Sequence, residues 1–326
     1  MKLNKLLLFS ISSLIISSLF LSGCSKKDEV NILATTDVHS MVSDELISTI
    51  ESERKNDPNL TFVDAGDFYD MKEEKQHQWF FKFRVLSDQG HDLDYVVQKM
   101  GEPPLMKKLD DLKYDAMILG NHELVVHTKE KMDWFLTNYK KHNTPVLSAN
   151  IYEMNGENYV EPYIIKNVKT KDGDLKLGIL GLTIKEVGED DDQSRELIDQ
   201  PGFENKLYIT DLVEDAKKWV KIMKEKENPD IIVAVAHTGE KPKKPKNPGN
   251  RIQDLATQTT GIDAIVAGHT HVEFAQHDYK NKNGEKVIVT QPAAHGKSVS
   301  KITFEVVKKD GKWVVEDKKS SLIEVK

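Results

Sequence analysis

Eight short, nearly continuous apolar runs recur along the chain: "VNILAT" (30–35), "LTFVDA" (60–65), "DAMILG" (115–120), "TPVLSAN" (144–150), "KLGILGLT" (176–183), "DIIVAVAH" (230–237), "IDAIVAGH" (262–269) and "KVIVTQ" (286–291). Rich in β-branched residues and lacking polar alternation, they suit strands buried on both faces. Helical patterns separate them; residues 211–223 put Leu212, Ala216, Trp219, Val220 and Met223 on one stripe. Strands alternating with helices predict an α/β fold.

In open α/β folds ligands bind beyond the carboxyl ends of the strands. Five of the runs end in metal-ligand residue types: Asp37-Val38-His39, Gly66-Asp67, Gly120-Asn121-His122-Glu123, His237, and Gly268-His269-Thr270-His271. Five of the eleven histidines fall at these points. Each fragment alone is an ordinary turn, but independent turns would rarely end five strands in this composition and order.

Cys24 is the only cysteine. A disulfide framework and thiolate metal sites are therefore excluded, and any metal must be held by oxygen and imidazole. Lys2 and Lys5 precede an apolar stretch from Leu6 to Leu21, followed by "LSGC" and the polar "SKKDE". Sixteen residues rich in Ser fall short of the roughly 20 that a spanning helix needs. The leader, residues 1–24, resembles a bacterial lipoprotein signal in which Cys24 is lipidated, and residues 25–29 form a short tether to a domain at 30–326. The expectation is a lipid-anchored protein on the extracytoplasmic side of the cell envelope, close to the membrane.

Losing Lys2 and Lys5 with the leader takes the formal net charge from −7 to −9. An acidic body argues against a nucleic-acid polymer as partner, whereas a local basic patch can still steer a small phosphorylated substrate. One basic, proline-rich loop, "EKPKKPKNPGNR" (240–251), carries Lys241, Lys243, Lys244, Lys246 and Arg251. It reads either as a solvated loop or as an attractor for phosphate. No protein partner can be inferred.

The ordered set Asp-x-His, Gly-Asp, Gly-Asn-His-Glu, His, Gly-His-x-His resembles the calcineurin-like metallophosphoesterase superfamily. "SANIY" (148–152), "LGILGLT" (177–183) and "QPAAHGK" (291–297) are similar to its 5′-nucleotidase and 2′,3′-cyclic-nucleotide phosphodiesterase branch. The resemblance implies a four-layer α-β-β-α sandwich of two mixed sheets, forming a single catalytic domain with two divalent metal ions. Mn, Fe, Zn, Co and Mg all remain open as their identity. A first metal would take Asp37, His39 and His271, a second Asn121, His237 and His269, and Asp67 would bridge them. Phosphate ester hydrolysis needs a strong nucleophile and a counter-charge, which two metals roughly 3.5–4 Å apart supply. His122 is the implied general acid, directly after the ligand Asn121. The expected substrates are nucleotide-like phosphomonoesters or cyclic nucleotides; the alternative is a metal-binding surface lipoprotein, in a binding or adhesion role, without turnover.

A catalytic imidazole works best with a carboxylate that fixes its tautomer and stabilises its charged form. The 5′-nucleotidase motif generally continues to an Asp where this chain has Val125. Glu123 is expected to brace the loop, and His127 would compete for the proton. "GDFYD" (66–70) resembles the protein-phosphatase branch, in which the second Asp orients the catalytic His; Asp70 is therefore the expected partner of His122. Residues 71–104 look like an insertion, with Trp79, Phe80, Phe81 and Phe83 either packing it onto the body or forming an aromatic lid over the metals. The nucleoside-gripping second domain of secreted 5′-nucleotidases is expected to be missing, because the chain ends at Lys326.

Overall fold

In the computed structural model, the described residues are 27–70, 72–126, 128–185, 202–242 and 249–326. The leader with Cys24, His127, and Lys243, Lys244 and Lys246 of the basic loop lie outside them. All eight predicted runs contain strands.

The first sheet has the order β14 (Lys312–Glu324), β13 (Ser298–Lys309), β1 (Asp28–Thr35), β2 (Thr61–Asp64), β3 (Ala116–Ile118) and β4 (Val146–Leu147). The second runs β11 (Phe274–Lys280), β12 (Lys286–Gln291), β10 (Ala264–Ala267), β9 (Ile231–His237), β7 (Gly173–Thr183) and β6 (Tyr163–Thr170). A small ribbon pairs β5 (Ile151–Glu153) with β8 (Leu207–Ile209). Each large sheet has a parallel centre, β1-β2-β3-β4 in one and β12-β10-β9-β7 in the other. Antiparallel strands flank these centres: β13 and β14 in the first sheet, β6 and β11 in the second.

Side chains alternate across each strand with a period of two. Val30, Ile32 and Ala34 of β1 meet Val233 and Val235 of β9 and Val266 of β10 in a core between the sheets. Leu33, on the other face, joins Phe62 and Met117 under helices α1 (Asp44–Asn56), α2 (Glu74–Asp88), α3 (Leu93–Met100), α4 (Pro104–Leu112) and α6 (Lys129–Lys141). The second sheet turns Leu182, Ala234 and Ile265 outward onto α7 (Leu212–Lys226) and α8 (Ile252–Gln258). The result is the four-layer α-β-β-α sandwich, each fully buried aliphatic side chain contributing about 1.5–3 kcal/mol. The predicted stripe of α7 is buried at Leu212, Ala216, Val220 and Met223, and Asp211 caps the helix by accepting from Val213 N and Glu214 N. The short helix α5 (Asn121–Val126) starts directly after Gly120.

Strand β1 begins at Asp28, two residues before its apolar run and inside the expected tether. Described residues 72–104 are largely helical, and Trp79, Phe80 and Phe83 are buried in the core beneath the first sheet. These three rings pack the segment onto the body; Phe81 is 63% exposed on the opposite face of α2. Among the described residues no helix is long and apolar enough to cross a membrane.

Candidate metal centre

Every predicted ligand sits at the carboxyl end of a parallel strand. Asp37 and His39 follow β1, Asp67 follows β2, Asn121 opens α5 after β3, His237 is the last residue of β9, and His269 and His271 follow β10. The loops after β1 and β2 continue side by side beyond the sheet, with Asp37 N, His39 N and Ser40 N donating to the carbonyls of Gly66, Asp67 and Phe68 at 2.9 Å each. Asp37, His39, Ser40, Asp67, His269, His271 and His295 all have positive φ. Left-handed backbone is sparsely populated by residues with a Cβ, so its concentration here marks strain held by the surrounding fold.

Two groups of donors emerge. In the first, Nε2 of His39 lies 3.1 Å from Nε2 of His271, which is 3.2 Å from Asp37 Oδ1. Asp37 Oδ2 is saturated, accepting from Thr36 Oγ1 at 2.7 Å and His269 N at 3.0 Å. Asp37 Oδ1 is buried and has no hydrogen bond of good geometry within the protein. In the second, Asn121 Oδ1 is 3.0 Å from both His237 Nε2 and His269 Nδ1, and Asp67 Oδ2 is 3.2 Å from His237 Nε2. Asp67 lies close to His39 as well as to His237 and His269, between the two groups.

The residues fit divalent cations. A buried carboxylate oxygen with no well-aligned hydrogen bond, and imidazole nitrogens facing one another at hydrogen-bond distance, are what a cation between them would satisfy. The ring behind each donor is also fixed. Nδ1 of His237 donates to the carbonyl of Ala65 at 2.8 Å, leaving Nε2 as the donor nitrogen. Nδ1 of His39 faces Asp70 Oδ2 at 3.0 Å, which likewise turns Nε2 toward the cluster.

Burial pushes the Asp37 carboxyl up, but the His271 imidazole and the charged His237 more than offset it and hold it below the usual range. Burial likewise opposes ionisation of Asp67, which His237 nevertheless holds well below the usual carboxylate range. Burial opposes the charged form of His237, and Asp67 outweighs it, raising the imidazole to about 10. Burial and then the charge of His237 lower His269 to about 4.

His122 stands at the edge of this cluster, its side chain 33% exposed. Its backbone N–H donates to Asp67 Oδ1 at 2.8 Å, and its Nδ1 lies 3.3 Å from Asp70 Oδ2. Asp70 is thus within reach of both His122 and His39; its contact raises the pKa of His122 despite burial. Glu123 is fully buried and braces the loops, accepting from Asp67 N at 3.2 Å, Tyr69 N at 2.8 Å and Gly120 N at 2.7 Å. Tyr69, next to Asp70, packs its ring 6.1 Å from Phe80 of the aromatic segment and 5.2 Å from Phe135 of α6. In the basic loop, Lys241 and Arg251 are engaged by Asp254, and Arg251 also by Asp211.

The sequence matches the calcineurin-like phosphoesterase family over residues 30–273. The chain belongs to that family. Among curated proteins it is 30% identical over 322 residues to the trifunctional nucleotide phosphoesterase protein YfkN of Bacillus subtilis, covering 90% of this chain and 20% of that protein. It is 25% identical to a 2′,3′-cyclic-nucleotide 2′-phosphodiesterase/3′-nucleotidase of Yersinia enterocolitica, covering 90% of this chain and 45% of the relative. The chain therefore spans less than half the length of either. The crystal structure of calcineurin-like phosphoesterase YfkN from Bacillus subtilis superposes with a TM-score of 0.72 at 28% identity, covering 92% of each chain.

Beyond the predicted ligands, this family member brings His295 to the cluster. Its ring centroid lies 5.4 Å from that of His39 and 5.6 Å from that of His271. The residue was visible in "QPAAHGK", but a single His after a strand has no spacing pattern to mark it.

Proposed function

We propose that the protein hydrolyses phosphate esters of the nucleotide type, monoesters or cyclic diesters, at a two-metal centre. One observation carries the reading: seven donor side chains from five strand ends converge in two groups that share Asp67. Asp37, His39 and His271 would hold one divalent cation, Asn121, His237 and His269 the other, and Asp67 both. Bound there, the cations supply Lewis acidity that brings the pKa of water from roughly 15.7 toward about 7 and neutralises phosphate charge.

The protein's own groups do the rest. His122, with Nδ1 against Asp70, keeps Nε2 for the departing oxygen and gives it a proton. Asp70 stabilises the imidazolium before transfer and holds the ring in one orientation. Glu123 fixes the backbone of Asp67 and Gly120, so the shared carboxylate and the Asn121-His122 step move as one piece. The names of the relatives support nucleotide-type substrates.

The sequence leader supports attachment to the outer face of a membrane through a lipidated Cys24, with the domain from residue 30 held on a short tether. Fractionation tests it: Cys24→Ala should move the protein from the detergent phase to the aqueous phase, and unchanged partitioning would refute the anchor. The activity is tested with leaderless protein stripped of metal and reloaded separately with Mn, Zn, Fe, Co or Mg. Substrates are p-nitrophenyl phosphate, bis-p-nitrophenyl phosphate, nucleoside monophosphates and 2′,3′-cyclic nucleotides. Metal-dependent turnover is expected, whereas stoichiometric metal uptake without turnover on any of them would favour a binding lipoprotein.

A further inference from the structure

His295 follows β12 in a left-handed backbone conformation, φ 63°, and is itself followed by Gly296 at φ 64°. Its N–H donates to the carbonyl of Asp37 at 2.9 Å, which ties this turn to the loop that carries Asp37 and His39. A His held in that backbone region and bonded to a ligand loop is positioned by the fold rather than by its own preference.

The ring points into the cluster. A ring nitrogen of His295 lies with donor atoms of His39 and His271 in a group whose members are all within 4.8 Å of one another. Nitrogens bound to one ion at about 2.0–2.1 Å stand at most about 4.2 Å apart, so an inward movement of less than an ångström brings all three onto one cation. Nε2 of His295 is buried and finds no hydrogen-bond partner within the protein. Buried polar atoms are ordinarily satisfied, and an ion held together with His39 and His271 would satisfy this one.

From this geometry we infer that His295 is an additional imidazole ligand of the first metal position. The inference rests on the two-metal reading above. The first position then has Asp37, His39, His271, His295 and a share of Asp67; the second has Asn121, His237, His269 and the other share. The two are unequal: three imidazoles favour zinc, iron, cobalt or copper at the first, whereas an amide oxygen replaces one nitrogen at the second and weakens its hold on those ions. Loading should be stepwise, with the first position filling first.

The test titrates metal-stripped protein with Co(II), following heat and the visible ligand-field spectrum, in the parent, His295→Phe and His295→Gln. Phe keeps the ring volume without a donor, and Gln keeps a donor oxygen. The parent should bind two equivalents in two resolved steps. His295→Phe should weaken the first step by 10–100-fold, leave the second within about twofold, and change the spectrum of the first-bound ion, with Gln intermediate. If His295→Phe alters neither the first dissociation constant nor the spectrum while the parent binds two equivalents, His295 is no ligand and the two-metal reading survives. If the parent fails to bind two equivalents, the two-metal reading itself falls and this assignment falls with it. Circular dichroism on each variant separates unfolding from ligand loss; if Phe unfolds the protein, the Gln variant decides, and parent-like binding and spectrum there overturn the assignment.

Discussion

Asp70 faces Nδ1 of His122 at 3.3 Å with the same carboxylate oxygen that faces Nδ1 of His39 at 3.0 Å. One buried group therefore touches the proposed proton donor and a proposed metal ligand at once. Lys72 Nζ lies 3.6 Å from the same oxygen. Replacing Asp70 by Asn keeps the shape and removes the charge that raises His122. The sign follows directly: a lower His122 pKa means that the imidazolium deprotonates earlier as pH rises. The basic limb of the kcat profile should move to lower pH, with kcat falling roughly 10–100-fold at pH 8. Metal affinity should also fall, because His39 loses the group behind its ring. A pH–rate profile of Asp70→Asn that overlays the parent would show that the carboxylate does not serve His122.

His122 itself should matter in proportion to how much the leaving group needs a proton. An alkoxide such as the 5′-oxygen of a nucleoside is a poor leaving group, and general acid assistance accounts for roughly 10²–10⁴ in rate. p-Nitrophenolate leaves readily without it. His122→Asn should therefore lose most of its activity on a nucleoside monophosphate and far less on p-nitrophenyl phosphate. Equal losses on the two esters would make His122 a phosphate-binding group rather than an acid.

The fold was legible where burial left a continuous apolar record. The eight runs are the buried strands: the parallel centres β1-β2-β3-β4 and β7-β9-β10-β12. The strands that escaped are antiparallel, short or wet on one face. In β14 charged Lys312, Glu316 and Lys318 interleave with Trp313, Val315 and Ile323, and β11 alternates exposed Ala275 and His277 with half-buried Phe274 and Gln276. The proposed ligands were legible because each follows or closes a strand and belongs to an ordered motif. Asp70 was legible only through "GDFYD", and its second contact, with His39, depends on the pairing of two loops that no spacing encodes. The rings of the 71–104 segment left both packing and covering open until burial separated Phe81 from Trp79, Phe80 and Phe83.

Gly120 is required by a close approach rather than by its backbone angle. A Cβ there would lie 2.5 Å from Asp67 N and closer still to Asp67 Oδ1, inside the contact that places the carboxylate proposed to be shared. Neither Asp67 nor Glu123 can yield without breaking the bonds among Gly120 N, Asp67 N and Glu123. Gly120→Ala should destabilise the protein by about 1–3 kcal/mol, as overpacking does. It should also bind less than two equivalents of metal even when fully folded, read by equilibrium dialysis beside thermal unfolding. Two equivalents at parental affinity would mean that the loop relaxes freely.

Asp64 supplies a pH signature independent of activity. Its carboxylate accepts from Thr35 Oγ1 at 2.6 Å and from Gly66 N at 3.0 Å, yet complete burial pushes its pKa up to about 7. Below about pH 4 both the folded and unfolded chains hold this proton. As pH rises from there to about 7 the unfolded chain releases it while the folded chain keeps it, so folding binds a proton and stability falls across that window. The loss attributable to Asp64 is on the order of 4 kcal/mol. Asp64→Asn keeps the packing without a titrating group. In metal-stripped protein, the stability of the variant relative to the parent should therefore climb between pH 4 and 7 and level off above. Chemical denaturation at half-unit pH steps measures the difference, and a flat difference across the window would mean that Asp64 is ionised in the folded state throughout.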